Sequence, residues 1–184
     1  MIEVLSRHED APAAWPAVSG VDSDALAWAW PRVEAWIAWR FCARDVTWRV
    51  DGSGEWRPDL RPLDTVTAKA WTGSAWDSVT LTASPDGYDL PHGRYEIAAT
   101  VGAGVTVPDD VAEAVRRLVA YQDGMQSIPA GARSYSASID IQSESFRFDD
   151  RAAARAIHNS GAADLLRPYR TGRAGNAVAI QAQD

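Results

Sequence analysis

The stretch YEIAATVGAGVTVPDDVAEAVRRLVAY, from Tyr95 to Tyr121, decides the reading of the fold. Its first seven residues alternate. Tyr95, Ile97, Ala99 and Val101 fall on one side and Glu96, Ala98 and Thr100 on the other, which is the period of a half-buried strand. Gly102-Ala103-Gly104 then interrupts the pattern. It lacks the third glycine and the basic residue of a phosphate loop, so it reads as a tight crossing. From Pro108 the period becomes 3.6, with Val111, Val115, Leu118, Val119 and Met125 on one stripe of a helix over 108–126. Pro108 suits the first turn, and Asp109, Asp110 and Glu113 stand near the positive end of the helix dipole. Glu113 and Arg117 have the i,i+4 spacing of an ion pair.

Toward the N-terminus, period two extends back to residue 45. Val46, Trp48 and Val50 alternate with Thr47 and Arg49, and Val66, Ala68 and Ala70 alternate again. Gly52-Ser53-Gly54, Thr72-Gly73-Ser74 and Asp86-Gly87 read as turns, Pro58 and Pro62 as breaks, and Trp76 to Thr82 as a further strand. The result is an antiparallel β-module of five or six short strands. Residues 23–43 read as a helix with Trp28, Val33, Trp36, Ile37 and Phe41 near helical spacing and Pro31 as its flaw. Residues 1–22 read as an extended arm, with a short strand at Ile2–Leu5.

Beyond the long helix, Tyr135, Ala137, Ile139 and Ile141 alternate with Ser136, Ser138, Asp140 and Gln142, and Phe146-Arg147-Phe148 follows. This predicts an extended ribbon over 127–149 whose apolar side needs a cover. A helix starting at Asp149 or Asp150 is broken at Gly161, resumes at Ala162 and stops at Pro168. The fold class expected is α+β. A small α-helical bundle carries an antiparallel β-module inserted at 45–101, and an extended ribbon leads to a C-terminal helix and tail (150–184), all in one domain.

Length and charge narrow the function classes. The 184 residues, 46% hydrophobic and 23% charged, suffice for a buried core. No apolar run is long enough to span a membrane, and Met1–Leu5 lacks a basic leader and apolar stretch, so neither membrane nor secretory signal is expected. Cys42 is the sole cysteine; it excludes an intrachain disulfide and reads as a buried apolar residue on a helix. The net charge is −7, with residues 1–150 acidic and residues 151–184 basic. An acidic body does not wrap nucleic acid, and a basic tail suits an acidic partner surface.

Catalytic patterns are missing. His8, His92 and His158 lie far apart in the sequence, with no metal-ligand spacing, nucleophile elbow or P-loop. No catalytic, metal or cofactor site is expected, and the protein is read as a non-enzyme. The nine tryptophans admit two readings. Trp48, Trp56, Trp71 and Trp76 on one sheet face would make a stacking platform, as in a carbohydrate-binding β-module. The same residues would serve equally as core and subunit contacts, with Trp28, Trp36 and Trp39 in those roles on the helix.

Two segments carry a family resemblance. Val107 to Tyr121 has the form "VP..v..Av..Lva", and Gly161 to Arg170 closes as "a..LL.pyR". An earlier helix with Val33-Glu34-Ala35-Trp36-Ile37 and the approach Tyr95–Gly104 stand in the matching order. Together, over about residues 23–170, they resemble the head–tail connector (adaptor, head-completion) proteins of long-tailed bacteriophages and gene transfer agents. After the helix this chain has Tyr121-Gln122-Asp123-Gly124-Met125 where that family often has "Ye.Re". The resemblance implies a homododecameric ring under the portal at the head–tail interface. Such a ring extends the DNA channel without sequence-specific contact and offers a platform to a tail-side completion protein. It also implies a C-terminal segment docked on the portal, here Leu165, Leu166, Arg167, Tyr169, Arg170 and Arg173. From the alternation alone, Tyr135, Ile139, Ile141, Phe146 and Phe148 are expected to meet a neighbouring subunit.

Overall fold

A computed structural model describes residues 1–126, 134–139, 142–147 and 155–170. Their elements run β1 (Ile2–Glu9), α1 (Ser23–Ile37), β2 (Arg44–Trp56), β3 (Leu63–Trp71), β4 (Trp76–Val79), β5 (Thr82–Ser84), β6 (Gly87–Val101) and α2 (Asp109–Gln126). Then come β7 (Ser134–Ile139), β8 (Gln142–Arg147), α3 (Ala156–Asn159), α4 (Ala162–Leu166) and a 3-10 turn (Arg167–Tyr169). They divide into two units. A sheet unit takes Met1–Pro16 and Ala38–Thr106, and a helical unit takes Ala17–Ile37 and the described part of Val107–Val178.

The sheet is antiparallel, in the order β1-β2-β6-β3-β4, with β5 also paired to β6. Residues directly opposite one another share a face, so the register builds the core in rows. Val46, Ala99 and Val66 make one row, Trp48, Ile97 and Ala68 the next, and Val50, Tyr95 and Ala70 a third. Trp48 and Ile97 are fully buried, and small Ala68 leaves room beside them. The Trp48 ring meets Trp56 edge-on at 5.5 Å between centroids. Its indole N–H donates to Asp59 Oδ1 at 2.8 Å, so a buried polar atom is answered.

Two irregularities shape this sheet. Between Val4 and Ser6 the β1–β2 register shifts by one residue, leaving Leu5 as the extra residue of a bulge. Before it, Val4 faces with Val50; after it, Arg7 faces with Trp48 and Glu9 with Val46. The bulge thus turns Arg7 and Glu9 toward the core side of the sheet, where both find partners. The second irregularity lies at Gly52–Gly54, expected from sequence to be a turn. β2 instead continues through it, with Gly52 at φ +126° and Gly54 at φ +109°, and the register slips opposite Pro91 and His92 of β6. Pro91 has no N–H for a ladder, so an interrupted register suits it. Likewise 87–101 is one long strand, and 76–84 holds two short strands, β4 and β5, rather than one.

In the helical unit, α2 buries Val111, Ala114, Val115, Leu118 and Val119. The expected Glu113–Arg117 pair forms at 3.0 Å, and Arg116 joins the same carboxylate. α4 packs on α2 through Ala162 and Leu166. Gly161 connects α3 to α4 with φ +73°, a left-handed conformation that only glycine adopts without strain. β7 and β8 pair as an antiparallel ladder from Ser134↔Arg147 to Ile139↔Gln142, so the ribbon is a two-stranded one.

Further expectations change. α1 ends at Ile37 rather than residue 43, because Ala38 takes φ +57°. Its buried face is Leu26, Ala29, Trp30, Val33, Glu34 and Ile37, while Trp28 and Trp36 are only half-buried. Pro31 sits exposed inside α1 without ending it. Cys42 is half-buried and off the helix, its sulfur accepting from Arg44 at 3.3 Å. Residues 2–9 of the expected arm form a full strand.

Trp48→Ala is expected to cost about 3–5 kcal/mol, as for a large ring removed from a closed core. Asp59→Ala, which leaves the buried indole N–H unanswered, is expected to cost about 1–3 kcal/mol. Urea unfolding followed by circular dichroism measures both.

Candidate functional site

Among the described residues, no group of three or more His, Cys, Asp or Glu side chains is placed to hold a metal. No helix there is long and apolar enough to cross a membrane. What the chain presents is charge and aromatic surface, arranged in three places.

The first lies in the sheet unit, where Glu9 receives two arginines. Arg40 Nε and Nη2 donate to its two oxygens at 2.5 and 2.9 Å, and Arg44 Nη1 donates at 3.3 Å. Arg44 also lies over the Trp15 ring, 5.2 Å from its centroid. Burial pushes the Glu9 carboxyl up. The Arg40 hydrogen bond and the charges of Arg40, Arg44 and Arg7 outweigh it and hold the group below its ordinary value. Both arginines are nearly buried, so this cluster is a structural clamp on the end of β1.

The second is the outer tryptophan pair. Trp71 and Trp76 are register partners in β3 and β4, with ring centroids 5.3 Å apart and planes inclined by 56°. Trp71 is exposed and Trp76 half-buried, with Arg49 5.9 Å from the Trp76 centroid. Trp48 and Trp56 are buried. The four tryptophans therefore do not share an open face, and the two outward rings do not lie in one plane.

The third is a cleft of about 470 Å³ in the helical unit, lined by Arg32 and Trp36 from α1 and by Arg155, Ile157 and His158 at α3. Trp28, Arg32 and Trp36 stand at i, i+4 and i+8 on α1, away from its buried face. The Arg32 guanidinium lies 5.0 Å from the Trp28 centroid, and that of Arg170 4.7 Å from the Trp36 centroid. His158 meets the Trp36 ring edge-on at 4.8 Å. The Trp36 indole N–H is buried without an acceptor among the described residues.

Ion pairing is uneven across the described arginines. Eight described arginines, from Arg7 with Asp59 to Arg117 with Glu113, each face a carboxylate. Arg32, Arg155, Arg167 and Arg170 of the helical unit face none among the described residues.

Of the residues expected to dock on a partner, Arg170 reaches the cleft's Trp36 ring. Leu166 is fully buried in the core of its own unit, in contrast to the uncovered apolar pair expected. α2 covers it, which a short helix alone could not do. Leu165 is half-buried, Arg167 and Arg170 are exposed, and Arg173 lies outside the described residues. Tyr169 is half-buried; burial, and then the charge of Asp110, raise its hydroxyl above the ordinary tyrosine value. Of the expected inter-subunit positions, Tyr135 and Phe146 are register partners and Ile139 ends β7. Ile141 and Phe148 lie outside the described residues. Sequence reading passed over Arg32 and Arg155; the Trp-x3-Arg-x3-Trp spacing of α1 was the available signal.

No protein-family model matches the chain, and no curated protein matches its sequence. Its fold does have a solved counterpart. A chain described as the neck of an empty GTA (gene transfer agent) particle, computed with C6 symmetry, is similar with a TM-score of 0.51. The identity is 17%, over 88% of this chain and 86% of that one, so the likeness is one of fold.

Glu9→Gln is expected to cost on the order of 3 kcal/mol near neutral pH, since it removes a negative charge that faces two nearly buried arginines. A carboxylate held below its ordinary value of 4.5 stabilises the fold above that pH and ceases to as pH falls through its folded value. The gap between wild type and variant should therefore close below about pH 4.5, which urea midpoints across a pH series will read.

Proposed function

We propose that this chain is a non-enzymatic structural adaptor, forming a ring between the portal and the tail of a phage or phage-like particle. The observation that carries this reading is a fold shared over 88% of the chain with a protein of a particle neck. The motifs at Val107–Tyr121 and Gly161–Arg170 point the same way independently. A six-fold axis is satisfied by six copies or by twelve, and a ring matched to a twelve-subunit portal takes twelve. Such a ring uses heterologous contacts, one patch of each subunit against a different patch of the next. The β7–β8 ribbon, with Tyr135, Ile139, Ile141, Phe146 and Phe148, supplies one such patch. The portal contact falls to Leu165, Arg167, Tyr169, Arg170 and Arg173, with Leu166 as the core residue beneath them. A tail-side completion protein takes the opposite rim. The acidic body suits a channel that DNA must slide through, because it offers phosphates no clustered cations.

Negative-stain images and native mass spectrometry of the protein, alone and with the portal of its own particle, test the reading. Twelve copies of a 20.0 kDa chain give a ring of about 240 kDa. A chain that stays monomeric at tens of micromolar even with portal present overturns the proposal. Ile139→Asp is expected to abolish the ring while leaving the melting curve of the monomer unchanged. A large drop in melting temperature would instead assign the ribbon to the subunit's own core.

A further inference from the structure

We propose that the Trp36 cleft is a recognition site for an acidic peptide segment of a partner protein. Arg32 and Arg155 line one concavity, the Arg170 guanidinium lies 4.7 Å from the ring of its wall residue Trp36, and none of the three faces a carboxylate among the described residues. This is notable because eight of the thirteen arginines whose side chains are described already face a carboxylate. Forked guanidinium donors match carboxylates in pairs, and arginine held against an aromatic ring is preorganised for that task.

The rest of the cleft fixes the ligand class. Trp36 supplies a wall, flanked by His158 at its edge and Arg170 near its ring. Ile157 adds apolar surface, so the site suits a carboxylate next to an apolar side chain. About 470 Å³ accommodates a few side chains and not a duplex. The net negative charge of the remaining body repels a polyanion at longer range, which favours a short acidic peptide over DNA. The site shares Arg170 with the portal contact proposed above, yet it is defined by residues of α1 and α3, and it would operate on a single subunit.

The test is selection from a random dodecapeptide phage library on the immobilised full-length chain. Enriched peptides are expected to carry clustered Asp or Glu beside an aromatic or aliphatic residue. Synthetic copies should then bind by fluorescence anisotropy, and should shift the Trp36 indole N–H signal, assigned with Trp36→Phe. Arg155→Gln and Arg170→Gln, both at exposed positions, should each weaken binding roughly tenfold or more without moving the melting temperature. Enrichment without carboxylates, no enrichment, or undiminished binding by the Arg155→Gln/Arg170→Gln double variant overturns the proposal. So does a single-stranded oligonucleotide that binds in place of the peptides and is lost in the same variants. Because the measurement is made on the isolated chain, its failure would leave ring formation standing.

Discussion

The sheet unit depends on one ladder, that between β2 and β6. From Arg44↔Val101 to Trp56↔Tyr88 these strands are the longest in the sheet, and every other strand but β4 is hung on one of them. Their register decides which side chains face inward. A slip of one residue would turn Val46, Trp48 and Val50 to solvent and bring Thr47 and Arg49 into the core. The aromatic cluster and the Asp59 hydrogen bond both follow from that alignment. Even the interruption at Gly52–Gly54 serves it, since the ladder resumes beyond and carries Trp56 back to the core.

Charge is managed locally rather than globally. The Leu5 bulge brings Glu9 to two nearly buried arginines, and surface pairs such as Arg49–Glu96 and Arg94–Asp51 cross adjacent strands. Exposed pairs of this kind add little stability each, yet they consume cationic surface. The net charge therefore says less about recognition than the map of which arginines are already spoken for. On that map, Arg32, Arg155, Arg167 and Arg170 of the helical unit stand without a facing carboxylate among the described residues.

Much of this architecture is legible in residue order. The change of period at Gly102–Gly104, the α2 stripe, the Thr72–Ser74 and Asp86–Gly87 turns and the break at Gly161 all rest on local chemistry, and each stands where the sequence places it. The misreadings have a common source, because they depend on a partner distant in the chain. A bulge at Leu5 exists only against β2, and the irregularity at Gly52–Gly54, where both glycines take positive φ, is absorbed within the β2–β6 ladder rather than ending it. On α1 two stripes compete, and tryptophan lies on both. Trp30 wins burial because it shares a face with Leu26, Val33 and Ile37, whereas Trp28 and Trp36 share theirs with an arginine. The cleft joins α1 to a segment some 120 residues later, and no local spacing announces that.

The interleaving of the two units imposes an order on synthesis. α1 is complete at Ile37, but α2 does not begin until Asp109, and 71 residues lie between. At roughly 5–20 residues per second, the ribosome takes about 4–14 s to bridge them. All the strands of the six-stranded sheet are made by Val101, so that sheet can close while α1 still shows Trp30, Val33 and Ile37 to water. The nascent chain thus carries a finished half and a sticky half through several seconds of every cycle. That interval is when other chains can compete with α2 for the apolar face of α1.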